Sequence, residues 1–247
     1  MKLNQLSIQD LEGLFFKIYE NACELIDEAE LLYKNQKYAR SYLCSHSAFE
    51  EFGKIPMLHS AAVEIHMGKK VDWKSLNKRI RNHIEKISLS SLSIFYFDSL
   101  IKKHDVEIKI QNSKSEVDPL EKDFIEGIKE IISGIPVSKE GYQKYISEID
   151  IDSVMEEKKE MTERLKSYRE GSLYADFDNT DFLKPSEKID RKICEYGYTI
   201  TYLQKQFIDA PKFHINGFQF DNEKIEQTAK LILELMAKQL DGFTLKE

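Results

Sequence analysis

Apolar residues recur every three or four positions along much of the chain, which is the period of an α-helix that buries one face. The first such stretch covers residues 7–34, where Ser7 and Asp10 have the spacing of a capping box. Its apolar positions form one continuous seam: Leu11, Phe15, Ile18, Ala22, Leu25, Ala29 and Leu32. We therefore predict a long N-terminal helix that packs in a bundle.

The same period continues beyond this helix. It predicts helices at 38–67, 72–103, 119–133, 139–168, 186–209 and 221–240. Pro56 should kink the second helix or divide it in two, and Gly68 should end it. Asp72 is a suitable N-cap for the third helix.

Two stretches lack the helical period. The polar segment 104–117 predicts a loop, and 171–185, which is rich in Gly, Asp and Asn, predicts an irregular loop with a short extended piece at 173–177. The fold class is therefore all-α, a bundle of long antiparallel helices with a C-terminal helical extension. We predict one domain, with a helical core at 1–103, a loop at 104–120 and a helical continuation at 121–247.

Composition narrows the class of protein. Hydrophobic residues make up 41% of the chain and charged residues 32%, which is typical of a folded soluble protein. No apolar run approaches the roughly 20 residues of a membrane span, and the N-terminus lacks a signal peptide, so we expect a cytoplasmic protein without a membrane partner. Cys23, Cys44 and Cys194 form no CxxC pair, and we expect them to be reduced core residues.

Charge is distributed unevenly. The net charge of −7 argues against nonspecific nucleic-acid binding by the whole chain, yet residues 69–86 carry a local excess of basic side chains. This stretch is either a solvated helix face or a surface for RNA or a protein partner. On the second interpretation, the RNA-binding candidates in it are Lys74, Lys78 and Arg81.

One ionisable residue interrupts the apolar seam of each of two consecutive helices. The seam of the second helix comprises Cys44, Ala48, Glu51, Ile55, Leu58, Ala62 and Ile65. The seam of the third comprises Leu76, Ile80, His83, Ile87, Ser90, Ile94 and Phe97. We therefore predict that Glu51 and His83 point toward the helix packing, whereas Glu50 faces solvent.

A buried carboxylate needs a partner, since burying it alone costs several kcal/mol. Lys54 and His83 are the nearest candidates, and Arg79 and Lys86 fall on the predicted helix face of His83. The candidate catalytic cluster is Glu51, Lys54, Arg79, His83 and Lys86. The alternative is structural, with His83 a satisfied core residue and Glu50–Lys54 an ordinary surface pair.

Several chemistries lack their motifs. No Glu-x-x-His, HExxH or Cys/His cluster predicts a metal site, and no GxxxxGK[ST] or GxGxxG predicts a nucleotide cofactor. The G-x-S-x-G elbow of serine hydrolases is also absent. We expect no metal and no cofactor, and any catalysis would be acid–base chemistry by His83 with nearby cations.

Four segments in order resemble one family. They are "YARSYLCSHSAFEEFGKI", "IRNHIEKI" with its His-x-x-Lys, "RLKSYREGSLYADF", and Pro185 at the start of the next helix. Over residues 10 to 210 the chain resembles the AbiV family of abortive-infection proteins, which have HEPN-like domains. The resemblance implies a helical domain, often a homodimer, that serves bacterial antiphage defence.

Many HEPN proteins are metal-independent ribonucleases with an Arg-x(4–6)-His motif, and the resemblance carries this activity to the present chain as an expectation. Arg79 lies only four residues before His83, which is too close for that motif. Arg40 and His46 fit the spacing but fall on different helix faces. His83 with Lys86 is the better match.

Two functions follow as hypotheses. The first is an effector that cleaves or disables RNA and so blocks translation during infection. The alternative is a non-enzymatic protein that binds a phage protein or a translation component. Tyr174, in the "SLYADF" segment, either anchors its loop to the core or contacts RNA by stacking.

Overall fold

The computed structural model describes residues 5–91, 151–178, 181–209, 213–222 and 225. The helices are α1 (Ile8–Lys34), α2 (Tyr38–His66), α3 (Trp73–Arg81), α4 (83–91), α5 (Ile151–Leu173), α6 (Pro185–Lys188), α7 (Arg191–Asp209) and α8 (Phe213–Asn216). Strands β1 (Asp176–Asp178) and β2 (Asp181–Leu183) form one antiparallel hairpin. The all-α prediction is confirmed. The loop predicted at 104–117 and the helix at 119–133 lie outside the described residues, and so does nearly all of the helix at 221–240.

Helix α1 begins and packs as its sequence predicts. The Ser7 hydroxyl accepts a hydrogen bond from the Asp10 backbone N–H at 3.1 Å, and the Asp10 carboxylate accepts one from the Ser7 N–H at 2.9 Å. Leu11, Phe15 and Ala22 of the predicted seam are fully buried. This face packs against α2, which returns antiparallel after a short turn.

Helix α2 is the central helix of the bundle. It runs without interruption through Pro56, so of the two predicted effects, a kink or a division, Pro56 does not cause the division. The helix ends before Gly68, whose φ of +68° favours glycine. Helix α1 covers one side of α2, while α5 and α7 cover others. Because neighbours surround it, α2 buries residues around most of its circumference.

The predicted third helix is two helices separated at Asn82. Asp72 caps α3 as predicted, its carboxylate accepting a hydrogen bond from the Ser75 N–H at 2.9 Å. Asn82 has an extended ψ of 115°, and its side-chain oxygen accepts a hydrogen bond from the Ile84 N–H at 3.0 Å. A continuous helix from 72 to 103 was therefore wrong, because Asn82 ends α3 and caps α4.

Helix α4 lies unusually close to α2. A Cβ atom on Gly53 would meet the Lys86 carbonyl oxygen inside any non-bonded contact distance, and would lie 2.8 Å from Ser90 Oγ. The Ser90 hydroxyl donates a hydrogen bond to the Phe49 carbonyl oxygen at 2.6 Å. A buried apolar cluster completes the packing of α2, α4, α5 and α7: Phe49, Ile87, Met161, Leu165 and Ile200.

The C-terminal half departs from prediction at element ends. Helix α5 continues to Leu173 rather than ending near 168, and the extended piece predicted at 173–177 begins only at Asp176. The helix predicted at 186–209 is divided, since Asp190 accepts a hydrogen bond from the Ile193 N–H and caps α7. None of the described helices is long and apolar enough to cross a membrane.

Candidate active site around Glu50

The carboxylate of Glu50 lies inside the bundle, with the residue only 4% exposed. His83 Nδ1 and Lys86 Nζ each lie 2.6 Å from its Oε2 atom. Arg169 Nε lies 3.1 Å and His46 Nε2 3.3 Å from its Oε1 atom. We call these five residues the Glu50 cluster.

Three helices supply the Glu50 cluster. His46 and Glu50 are four residues apart and therefore adjacent on one face of α2. His83 and Lys86 are three residues apart on α4, which Gly53 allows to approach α2 closely. Arg169 comes from α5, one turn after Leu165 of the buried apolar cluster. The cluster is thus held where α4 closely approaches α2.

The two oxygens of Glu50 are held differently. Oε2 makes a short hydrogen bond with His83 and a close ion pair with Lys86. The contacts of Oε1 with Arg169 and His46 are within ion-pair distance but are not aligned as hydrogen bonds. Among the described residues, the buried Oε1 and His46 Nε2 atoms have no hydrogen-bond partner. Arg169 is therefore the more weakly held of the two permanent cations around Glu50.

Electrostatics keep Glu50 ionised. Burial acts to raise the pKa of the Glu50 carboxyl, but His46 and Lys86 outweigh it and lower the pKa to about 2. One carboxylate against an ammonium and a guanidinium group leaves an excess of one positive charge before either histidine is protonated. Such an excess suits an anionic ligand.

His46 connects the cluster to the core. Burial lowers the pKa of His46, and this outweighs the opposing effect of Glu50, so the imidazole is neutral near pH 7. Its Nδ1 atom lies 3.4 Å from the Tyr42 hydroxyl, and burial raises the pKa of Tyr42 well above its usual value. Tyr42 therefore donates to Nδ1, which leaves the His46 proton on Nε2, facing Glu50.

These pKa shifts predict loss of stability in acid. The pKa values of His46 and Glu50 are lower in the folded than in the unfolded chain, so both stabilise the fold at neutral pH. As pH falls below about 6.5 the contribution of His46 is lost, and between pH 4.5 and about 2 that of Glu50, about 3 kcal/mol, follows. Urea unfolding at pH 7.5 and 5.5 measures the first step, and unfolding at pH 3.5 measures the beginning of the second, roughly 1 kcal/mol.

The His46→Gln variant tests whether His46 causes the loss of stability between pH 7.5 and 5.5. It should lose less stability than the parent between pH 7.5 and 5.5. The step below pH 4.5 should become smaller but not vanish, because Lys86 still lowers the pKa of Glu50. Burial also lowers the pKa of His59, so part of the first step should persist in the variant. An identical pH dependence in parent and variant would contradict the assignment to His46.

His83 is the part of the cluster that a ligand can reach. Its side chain is 53% exposed, whereas the Glu50 carboxylate behind it is 6% exposed. A carboxylate bound at Nδ1 holds the ring in one orientation and leaves Nε2 to exchange protons with a substrate. Buried acid, oriented imidazole and adjacent cations are the parts that acid–base chemistry on a phosphodiester requires.

The structure corrects the prediction about the two adjacent glutamates. Glu50 is buried, whereas Glu51 lies at the edge of the bundle, with its side chain 18% exposed. Glu51 pairs with Lys54, as predicted for its partner, but neither belongs to the Glu50 cluster. The reason is that α2 is buried on more than one side, so its inward positions are not confined to a single seam.

Of the remaining catalytic candidates, His83 and Lys86 come together and Arg79 does not. Arg79 instead pairs with Glu85 at 3.6 Å, with both side chains about two-fifths exposed. The break at Asn82 removes Arg79 from the helix face that carries His83, so the expectation that they share one face was wrong.

The RNA-binding candidates lie on the surface. Lys74, Lys78 and Arg81 are exposed on α3, and Tyr174 is 64% exposed after α5. An exposed Tyr174 does not anchor its loop to the core. No contact in the described part of the chain assigns a role to these four residues.

Sequence reasoning missed His46 and Arg169. Arg40 is exposed and His46 is buried, so these two residues do lie on different faces as predicted. His46 therefore does not fit the Arg-x(4–6)-His motif, but its position four residues before Glu50 places the two side chains on one face of α2. Arg169 lies within "RLKSYREGSLYADF", but nothing local pairs it with α2.

The fold and the site define a class. The described helices form an all-α bundle of the HEPN-like kind, with a half-exposed histidine over a buried acid. The family model described as AbiV matches residues 10–201, more than three quarters of the sequence, so the chain belongs to the AbiV family of HEPN-type abortive-infection proteins. No curated protein and no solved structure matches the chain.

In the described residues, no group of three or more His, Cys, Asp or Glu side chains is arranged to hold a metal ion.

Proposed function

We propose that the protein acts in antiphage defence as a metal-independent ribonuclease whose site is the Glu50 cluster. The observation that carries this proposal is the 2.6 Å hydrogen bond between the half-exposed His83 and the buried Glu50. It gives the imidazole a fixed orientation at the surface of an otherwise buried site. A purely structural histidine has no need of the exposure.

The proposed reaction is intramolecular attack within RNA. His83 takes the proton of a ribose 2′-hydroxyl, whose oxygen bonds to the adjacent phosphorus. The bond from phosphorus to the 5′-oxygen breaks, and the proton passes to that oxygen. Lys86 and Arg169 supply positive charge as the phosphate gains negative charge in the transition state. The products are a 2′,3′-cyclic phosphate and a free 5′-hydroxyl.

A non-enzymatic role is the second candidate, and it has its own observation. Tyr174 and Phe182 are 64% and 69% exposed, and they lie eight residues apart on either side of the β1–β2 turn. Large exposed aromatic residues are typical of protein-binding surfaces. On this alternative the hairpin binds a phage protein or a translation component, and RNA stays intact.

The first test compares the parent with His83→Ala in a phage-infected bacterial host. Removing a general base reduces such reactions by about 10²–10⁴-fold. We therefore expect discrete RNA fragments on a denaturing gel with the parent and none with the variant. Because His83 is half exposed, circular dichroism should show both proteins equally folded.

His66→Ala is the matched control. His66 is also an exposed histidine, but it lies 16 residues from Glu50 along α2, which is roughly 24 Å. The His66→Ala variant should cleave RNA as the parent does. Intact RNA in every culture, with phage growth still blocked, would contradict the ribonuclease proposal and favour the binding alternative.

A further inference from the structure

Three cations form one row on the outer face of α3. Lys74, Lys78 and Arg81 follow at intervals of four and three residues, the spacing of neighbours on one helix face. All three are exposed, whereas Leu76 on the opposite face is buried and Ile80 packs on the core. We call these three residues the α3 row.

Among the described residues, no acidic group neutralises the α3 row. Helix α3 contains no Asp or Glu, and within the described chain no ion pair or hydrogen bond engages the side chains of the row. The two nearest acids in sequence have other partners, since Asp72 caps α3 and Glu85 pairs with Arg79. In a chain of net charge −7, this row is a local site of positive potential.

The last residue of the row is close to the candidate active site along the chain. Arg81 is its last member and lies two residues before His83, so their Cα atoms are at most about 7 Å apart. Along the helix axis, the three members are separated by roughly 6 Å and 4.5 Å. With long flexible side chains, these intervals suit successive phosphates of an extended strand.

We propose that the α3 row is a phosphate-binding track that guides single-stranded RNA to His83. A single row of cations follows one strand, whereas a duplex presents two backbones. An extended strand can also rotate a 2′-hydroxyl into line with its phosphate, as the chemistry at His83 requires. The inference rests on the proposed function, because only that function makes His83 the end of the track. Binding of RNA by the row can still be tested without any cleavage.

The test measures binding of a fluorescein-labelled 12-nucleotide oligouridine with 2′-O-methyl riboses, which cannot be cleaved by 2′-hydroxyl attack. Fluorescence anisotropy is followed from 50 to 200 mM salt. For the triple variant Lys74→Ala/Lys78→Ala/Arg81→Ala we expect roughly 10- to 100-fold weaker binding, and a salt-dependence slope smaller by about 2 (about 0.7 for each lost phosphate contact). A 12-base-pair duplex should bind the parent more weakly than the single strand.

The matched control is Lys37→Ala/Arg40→Ala/Lys192→Ala. It removes the same kinds and number of exposed charges near the opposite end of α2, where Ala39 packs with Cys194. It should retain most of the affinity and the slope. Equal losses in the two triple variants would overturn the track, and so would tighter binding of the duplex.

The outcomes separate this inference from the proposed function. Binding that depends on the α3 row, together with intact RNA in infected cells, would support the track and reject the ribonuclease. Cleavage that requires His83 but is unchanged by loss of the α3 row would support the ribonuclease and reject the track. No binding of the oligonucleotide by the parent would overturn the track and leave an acidic protein as the ligand of the row.

Discussion

Replacing Glu50 by glutamine is expected to destabilise the protein by about 3–5 kcal/mol, the usual cost of removing one partner from a buried ion pair. The carboxylate holds Lys86 and Arg169 inside the bundle, and the Lys86 side chain is only 8% exposed. Without the negative charge, Lys86 is a buried ammonium group that lacks its counter-ion. Urea unfolding at pH 7 measures the loss as a lower midpoint at unchanged slope.

Glu51→Gln is the control for this experiment because it makes the same change at the next residue. Glu51 and Lys54 form a partly exposed pair at the edge of α2, and such pairs contribute about 1 kcal/mol or less. A large difference between the two variants is the expected result. Equal effects would show that the buried position of Glu50 carries no special electrostatic role.

A second substitution tests the cause of the destabilisation. If the uncompensated charge of Lys86 is responsible, Lys86→Met should cost less in the Glu50→Gln background than in the parent. If lost packing is responsible, the two effects should add. RNA cleavage should be lost in both cases, because His83 no longer has a carboxylate to orient it.

The helical period of apolar residues predicted the helical architecture correctly. It did not predict which residues of α2 are buried, because other helices surround α2. For α1 the single apolar seam is correct, since only one side of that helix faces the core. Helix α2 has neighbours on several sides, so successive residues with side chains about 100° apart, such as Glu50 and Glu51, are not sorted by one seam. Which of two adjacent glutamates is buried depends on where α4 and α5 pack.

The residues of the candidate site could likewise be predicted only in part. Ile87 and Ser90 were correctly predicted to be buried, and both lie within α4, beyond the break at Asn82. His83 was only partly correct, since its Nδ1 atom faces Glu50 but its side chain is half exposed. Arg169 could not be predicted from the sequence, because it contacts Glu50 only through the packing of two helices more than 100 residues apart in sequence. Helical periodicity assigns a residue to one face of its own helix but does not identify the residue on a neighbouring helix that lies opposite.

Gly53→Ala is expected to push α4 away from α2 and so to separate His83 from Glu50. An alanine Cβ would overlap the backbone carbonyl of Lys86 and come within 2.8 Å of Ser90 Oγ. A backbone group cannot rotate away as the end of a side chain can, so α4 must move. We expect a loss of about 3 kcal/mol of unfolding free energy, in the upper range for overpacked cores, with loss of RNA cleavage.

Gly13→Ala gives the opposite sign and therefore isolates the close approach as the cause. Gly13 is an exposed position in α1 with no atom within 4 Å of the added Cβ, so alanine there should stabilise the helix by about 0.5–1 kcal/mol. Both substitutions add the same methyl group within a helix and differ only in what it meets. Stabilisation by both would mean that α4 can sit farther from α2 than in this structure, and that the Glu50–His83 bond does not depend on Gly53. If Gly53→Ala alone is destabilising, the short stretch "EEFG" supplies both the buried acid and the gap through which His83 reaches it.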